Sequence, residues 1–328
     1  MHVPDGPLST EVCLAAGAIS LGAVHYSLQQ LKGSLADRTM PMTGMMAALI
    51  FAGQMVNFPI ALFGIPSVSG HLMGGVLAAV ILGPWAGCIA ITLVLIVQCL
   101  LFADGGLAAL GVNVLNMGVV GALGGYTVYA AVRRLLGNGT RGTIAGVVVA
   151  SWLSVIAASG LFCLEFGLSH VDNPEYNVMQ WVALMVTVHS AIGVGESFIT
   201  GTAIGFVMAQ RPDLLYEVTP GTTDHVARRA RRTLVAGVVC AMALAAFLAP
   251  FASELDDGLV WVGKQTGFTK LEASHVFVFR DYDQVLPGWH KLSVSLAGII
   301  GSLAVFAIAL ILDRSVRWRG RSVDVTHE

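Results

Sequence analysis

Two histidines far apart in the chain carry the most specific chemistry in this sequence. His2 follows Met1 in the opening MHVPDGPLST, and His71 lies in GIPSVSGHLMGG. A histidine in second position has a coordination property that one elsewhere lacks. The α-amine, the amide nitrogen of residue 2 and imidazole Nδ1 can close a five- and a six-membered chelate ring on one ion. That puts three nitrogens in a plane, and one further imidazole completes a square. Planar all-nitrogen sites suit Ni(II) or Cu(II), whereas zinc prefers a tetrahedron and magnesium prefers oxygen. The amine titrates at about 7.7–8.0 and imidazole at about 6.5, so a metal displaces their protons readily around neutrality. Taken singly, each histidine also has an ordinary reading. His2 could be an exposed terminus, and His71, beside Ser69 and Gly70, a polar residue at a membrane interface.

Whether the two can meet depends on the elements that carry them. Hydrophobic residues make up 55% of the 328 and charged residues only 12%, against roughly 25% charged in soluble domains. Apolar runs reach the ~20 residues that a helix needs to cross the hydrocarbon core. A polytopic, all-α integral membrane protein follows, with candidate spans at 11–31, 42–63, 70–83, 86–103, 107–132, 142–167, 179–209, 233–250 and 292–312. The 38 glycines fit close helix–helix approach. The five cysteines fall in apolar stretches without a CxxC pair and read as buried, inert thiols. No basic residues precede the first apolar run, so a signal peptide is not expected.

Residues 70–103 as one helix would be about 50 Å long, too long for a core of about 30 Å. Gly83-Pro84 sits where a break should fall. Charge placement tests that split. Basic clusters lie at Arg133, Arg134 and Arg141, at Arg228, Arg229, Arg231 and Arg232, and at Arg314, Arg317, Arg319 and Arg321, with Lys32 and Arg38 weaker. Connections 64–69, 165–178 and 251–291 are acidic or poor in basic charge. Placing every basic cluster in the cytoplasm requires an even number of crossings between Lys32 and Arg133, which the split provides. The N-terminus is then outside and the C-terminus inside, and Met1, His2 and His71 share the outer face. Residues 216–232 read as a cytoplasmic basic linker between a seven-helix unit, 1–215, and a two-span unit around an outer loop, 233–328.

Several stretches resemble one family in order: the CbiM/NikM-type substrate-binding subunits of energy-coupling-factor transporters for cobalt and nickel. They are MHVPDGPLS, SGHLMGGVLAAVILGPWAG, VQCLLFADGGLAALGVNVLNMGVVG, VHSAIGVGESFITG and RPDLL. The resemblance implies a metal held by the amine of Met1, the amide and imidazole of His2, and His71. It also implies a separate transmembrane coupling subunit, separate ABC ATPase subunits and residence in the plasma (inner) membrane. The stretch APFASELDDGLVWVGKQTGF resembles the small companion subunit (CbiN/NikN type), marked by Pro-Asp-Gly-Leu-Glu. Here that motif reads Asp256-Asp257-Gly258-Leu259-Val260, with its proline and glutamate replaced. The expected function is capture of Ni(II) or Co(II) as transported substrate, with no enzymatic activity, no organic cofactor and no nucleic-acid partner.

Other polar residues stand in apolar surroundings. His189 and Glu196, seven apart, share a helix face, and an intramembrane ionisable pair is a functional candidate by default. Asn113, Asn116, Gln98 and Asp104 could line a polar interior or form interhelical hydrogen bonds. Two rival functions use the same residues. An ion-coupled transporter would use His189 and Glu196 as a proton relay, and an intramembrane hydrolase would pair Ser69 with His189. Against the hydrolase, Ser67 replaces the glycine of a GxSG motif and no HExxH is present.

Overall fold

A computed structural model describes residues 2–32, 39–61, 67–171, 173, 177–216, 225–273 and 282–324. The expectation for Met1 falls outside these residues. Among them, seven helices are long and apolar enough to cross a membrane: Thr10–Leu31, Pro84–Phe102, Leu110–Leu136, Thr140–Ser169, Val178–Gln210, Arg231–Phe251 and His290–Arg314. The chain is a multi-pass, predominantly helical membrane protein. In chain order the long elements are α1 (Thr10–Lys32), α4 (Pro84–Phe102), α5 (Leu110–Asn113) joined to α6 (Gly125–Leu136) through a π-helical stretch, α7 (Thr140–Ser169), α8 (Val178–Gln210), α9 (His225–Ala243) and α11 (His290–Asp324).

Two of the nine expected spans take another form. The run 42–63 stays helical only to Gln54, in α2 (Thr39–Gln54), and continues as strand β1 (Phe58–Ile60). The run 70–83 begins in β2 (Val68–Gly70) and becomes helix only at α3 (Gly75–Leu82). The strands form an antiparallel hairpin in the register Phe58↔Gly70, Pro59↔Ser69 and Ile60↔Val68. Eight helical residues rise only about 12 Å, well short of a core of about 30 Å. Extended backbone at such depth persists only where protein groups satisfy its N–H and C=O, and here they do. Gln54 Nε2 donates to the Met73 carbonyl at 3.1 Å, and Glu196 accepts from the amides of Met73 and Gly74 at 2.7 and 3.0 Å.

The break at Gly83 is where the Gly-Pro dipeptide puts it. Gly83 has φ +89°, a left-handed conformation that favours glycine, and Pro84 opens α4. A Cβ there would fall 2.6 Å from the Tyr216 ring. The α3–α4 pair therefore goes down and returns: His71 and Asp104 lie at one end beside His2, and Gly83 lies at the other against Tyr216.

The C-terminal helices pack onto the same body through small residues. Positions for a Cβ at Gly44, Gly298 and Gly301 approach Ala309, Ala245 and Phe51 within 3 Å, so α11 lies close along α2 and the π-helical turn Leu244–Leu248 that follows α9. Between them, 252–257 leads into α10 (Gly258–Thr266) over the hairpin. Ser69 N–H donates to Asp256 O at 2.8 Å, and Ser253 N–H donates to Asn57 O at 2.8 Å. The five cysteines are free. Cys88, Cys99 and Cys163 are buried as expected, but Cys13 is half-buried and Cys240 is exposed on α9.

Candidate metal-binding site

The opening residues fold back into the bundle, and two short anchors hold them there. Asn113 clamps Val3 on both backbone groups: its Oδ1 accepts from Val3 N–H at 2.8 Å and its Nδ2 donates to Val3 O at 3.0 Å. Asp5 accepts from the amides of Leu107 and Ala109 at 2.8 and 3.0 Å. Val3 is fully buried and Asp5 nearly so. The Pro-Asp-Gly turn thus fixes the chain start against the connection between α4 and α5, and His2 has little freedom left.

His2 and His71 are brought together. Their rings lie 5.2 Å apart, centroid to centroid, and 14° from parallel. With metal–nitrogen bonds of about 2.0 Å, two rings at that spacing can flank one ion. His71 Nδ1 lies 3.1 Å from Leu72 O and donates to it, so the lone pair of His71 is on Nε2.

A chain of amides fixes the proton on Nε2 of His2. The Met73 carbonyl can only accept, so the Gln54 NH₂ donates to it. Gln54 Oε1 then accepts from Gln98 Nε2 at 2.6 Å, which leaves Gln98 Oε1 facing His2 Nε2 at 3.1 Å. Nε2 must donate to it, so Nδ1 is the one ring nitrogen that can give a lone pair to a metal. That is the nitrogen the terminal chelate requires. Here Nδ1 lies 3.1 Å from Asp104 Oδ1, and a bound metal would take the place of the proton shared in that pair. Replacing Gln98 with Leu removes the acceptor that holds this proton. Ligand-orienting hydrogen bonds are worth about 10–100-fold in metal affinity, so calorimetry on Gln98→Leu should show a loss in that range with the fold retained.

Electrostatics favour a cation at this end. Partial desolvation opposes the charge on Asp104, whose side chain is still 47% exposed, but the imidazoles of His2 and His71 together hold the carboxyl below the usual carboxylate range. Asp257 is half-buried, and the Val260 N–H and His71 lower it against the desolvation penalty. Burial pushes His71 down to about 3, so its ring is in the neutral form that metal ligation requires. His2, His71, Gln54, Gln98, Asp104 and Asp257 line one polar cavity of about 290 Å³, with Tyr282 and Asn57 on its wall.

Other expected residues go elsewhere. His189 and Glu196 do not pair: His189 Nδ1 donates to Met185 O at 2.9 Å, while both Glu196 oxygens serve Met73 and Gly74. Glu196 is fully buried and acts on the site through the loop that carries His71. Asn116 is not at the site; its Nδ2 donates to Glu165 Oε2 at 2.9 Å. The Ser69 hydroxyl donates to Leu255 O at 2.7 Å, so it is tied to the C-terminal loop rather than to His189 as a nucleophile would be. Gln54 was missed in the sequence, although a lone amide inside LIFAGQMVNF is the signal that could have found it. Among the described residues, no three His, Cys, Asp or Glu side chains already converge on one point.

The family model described as "Cobalt uptake substrate-specific transmembrane region" (CbiM) matches residues 2–214, and that of the PDGLE domain matches 231–317. A protein of Archaeoglobus fulgidus named "Putative fused nickel transport protein NikMN" is 32% identical over 319 residues, covering 97% of this chain and 99% of that one. The "Fused nickel transport protein NikMN" of Rhodobacter capsulatus is 32% identical over 225 residues, 66% of this chain and 64% of its own. A crystal structure described as a transition metal transporter superposes with a TM-score of 0.57 at 26% identity, over 71% of this chain and 99% of that one. This chain belongs to the CbiM family of cobalt-uptake substrate-specific transmembrane proteins and carries a PDGLE domain on the same polypeptide.

Proposed function

We propose that this chain is the substrate-specific subunit of an energy-coupling-factor transporter, and that it captures Ni(II) or Co(II) from outside the plasma (inner) membrane. The cargo is held by the α-amine of Met1, the amide nitrogen and Nδ1 of His2, and Nε2 of His71. The observation that carries this reading is the pairing of His2 with His71, with His2 Nε2 held by Gln98 so that Nδ1 is the nitrogen left for a metal. Residues 1–215 form the capture unit, 216–232 a cytoplasmic linker, and 233–328 the companion unit, with the N-terminus outside. ATP is hydrolysed by separate ATPase subunits through a transmembrane coupling subunit, and this chain is not an enzyme. The planar nitrogen set suits Ni(II) better than it suits harder or tetrahedral ions, and relatives are named for nickel and for cobalt alike.

Uptake of radioactive nickel by cells tests the reading. Cells with the chain and its coupling and ATPase partners should accumulate the ion, and cells lacking the ATPases should not. Accumulation without them would support an ion-coupled carrier instead.

The pH dependence has a definite sign. His71 is depressed from its ordinary value to about 3, so stability linked to the neutral ring is fully present above about pH 6.5 and is lost as pH falls towards 3. Between about pH 5 and pH 7 the ring is already deprotonated and releases no proton on binding metal. Affinity should therefore rise with pH through the amine of Met1 and the amide of His2, which must give up protons to bind. His71→Ala should weaken binding but leave that slope unchanged. A slope smaller by one proton in His71→Ala, measured by calorimetry across that range, would contradict this.

A further inference from the structure

A second, smaller cavity lies against the first. It encloses about 30 Å³ and is lined by His71, His189, Met73, Met117, Asp257 and Gly258, among others. That volume accommodates a single water or a single ion stripped of most of its hydration. His71 and Asp257 belong to the walls of both cavities. His189 is 2% exposed and its Nδ1 donates to Met185 O, which leaves the Nε2 lone pair as its coordinating position. Both histidines are thus held in the same tautomer by a backbone carbonyl, the arrangement that orients metal-ligating imidazoles. The space also depends on Gly258. A Cβ there would lie 3.2 Å from His189 Cε1 and 2.5 Å from Ile192 Cδ1.

We infer that this cavity is a second, inner coordination position for the transported divalent transition metal, with His189 as its principal ligand and His71 as the ligand shared with the outer site. The inference rests on the capture-and-uptake reading above. Nδ1 of His71 is committed to Leu72 O, so only Nε2 can coordinate, and it serves the outer chelate or the inner position but not both at once. The ion leaves the Met1–His2 chelate while His71 keeps hold of it and His189 takes the place of the departing nitrogens. Asp257, placed there by the C-terminal unit, balances charge during the transfer. A transit position must bind weakly enough to release, which fits two imidazoles better than a closed four-ligand cage. The thioethers of Met73 and Met117 complete a lining that stays soft and largely unhydrated.

The test uses the full chain, first purified for nickel calorimetry and then with its partners for nickel uptake by cells. His189→Ala and His189→Gln are compared with native protein, and His2→Ala serves as the control for the outer site. Glutamine keeps an N–H for the Met185 carbonyl and replaces only the coordinating nitrogen, so it covers the case in which the alanine variant fails to fold. The expected result is nickel affinity within about twofold of native for the folded His189 variants, and uptake reduced at least tenfold. In His2→Ala, Co(II) should give weak visible ligand-field bands that disappear in His2→Ala/His189→Gln. Native uptake in His189→Gln, or affinity lost in step with uptake, would overturn the inner site. Native uptake in His2→Ala would instead overturn the capture reading itself.

Discussion

Acetylating the amine of Met1, or placing several residues before it, reduces nickel affinity at least about 100-fold, or roughly 2.7 kcal/mol. The proposed site takes two of its four nitrogens from the first peptide unit, and acylation removes the amine's lone pair. The extension must be longer than one residue. A single added residue would make His2 the third, and an amine, two amides and an imidazole form a planar chelate of their own. Val3 is fully buried and fixes the chain here, so added residues must run through the polar cavity that His2 lines. Such an extension therefore also displaces the imidazole from Gln98 and Asp104. Calorimetry on blocked and unblocked chains reads the effect directly, and equal affinities would remove Met1 from the site.

Glu196→Ala should have the second largest effect, although Glu196 touches no proposed ligand. Its carboxylate accepts from two amides, Met73 N–H and Gly74 N–H, just before α3. A negative group there also suits the positive end of that helix. A buried donor left unsatisfied costs about 1–3 kcal/mol, so losing both should cost about 2–6 kcal/mol of stability. The loop that carries His71 then loses its seat, and so does the Met73 carbonyl that orients Gln54, Gln98 and His2. Glu196→Gln keeps one acceptor oxygen and should cost about half as much. Thermal unfolding in detergent and nickel calorimetry report the two consequences separately. Unchanged stability in Glu196→Ala would show that the loop is held by other means.

Much of this was legible in the sequence, and the failures share one cause. Apolar runs and charge placement located the long helices, and Gly83-Pro84 marked the break that lets His71 and Asp104 reach the same end. The His2–His71 pairing followed from chelate chemistry and family motifs, and the geometry is consistent with it. Runs 42–63 and 70–83 were read as full spans because hydropathy measures only polarity. Nothing in it shows that Gln54 and Glu196 would satisfy extended backbone at that depth. Spacing along a helix likewise suggested a His189–Glu196 pair. Seven residues put two side chains on one face but about 10 Å apart along the axis, and each found a nearer partner. The Gln54–Gln98 relay could not be derived at all, because it joins residues from α2 and α4 whose crossing only the packed bundle defines.

Nickel K-edge X-ray absorption on the loaded full-length chain tests the central claim most directly. The account predicts four nitrogen neighbours in a plane, two of them with the outer-shell scattering of imidazole, and no sulfur. In His71→Ala one imidazole contribution should disappear. Six oxygen-rich neighbours, or a spectrum unchanged in His71→Ala, would contradict it.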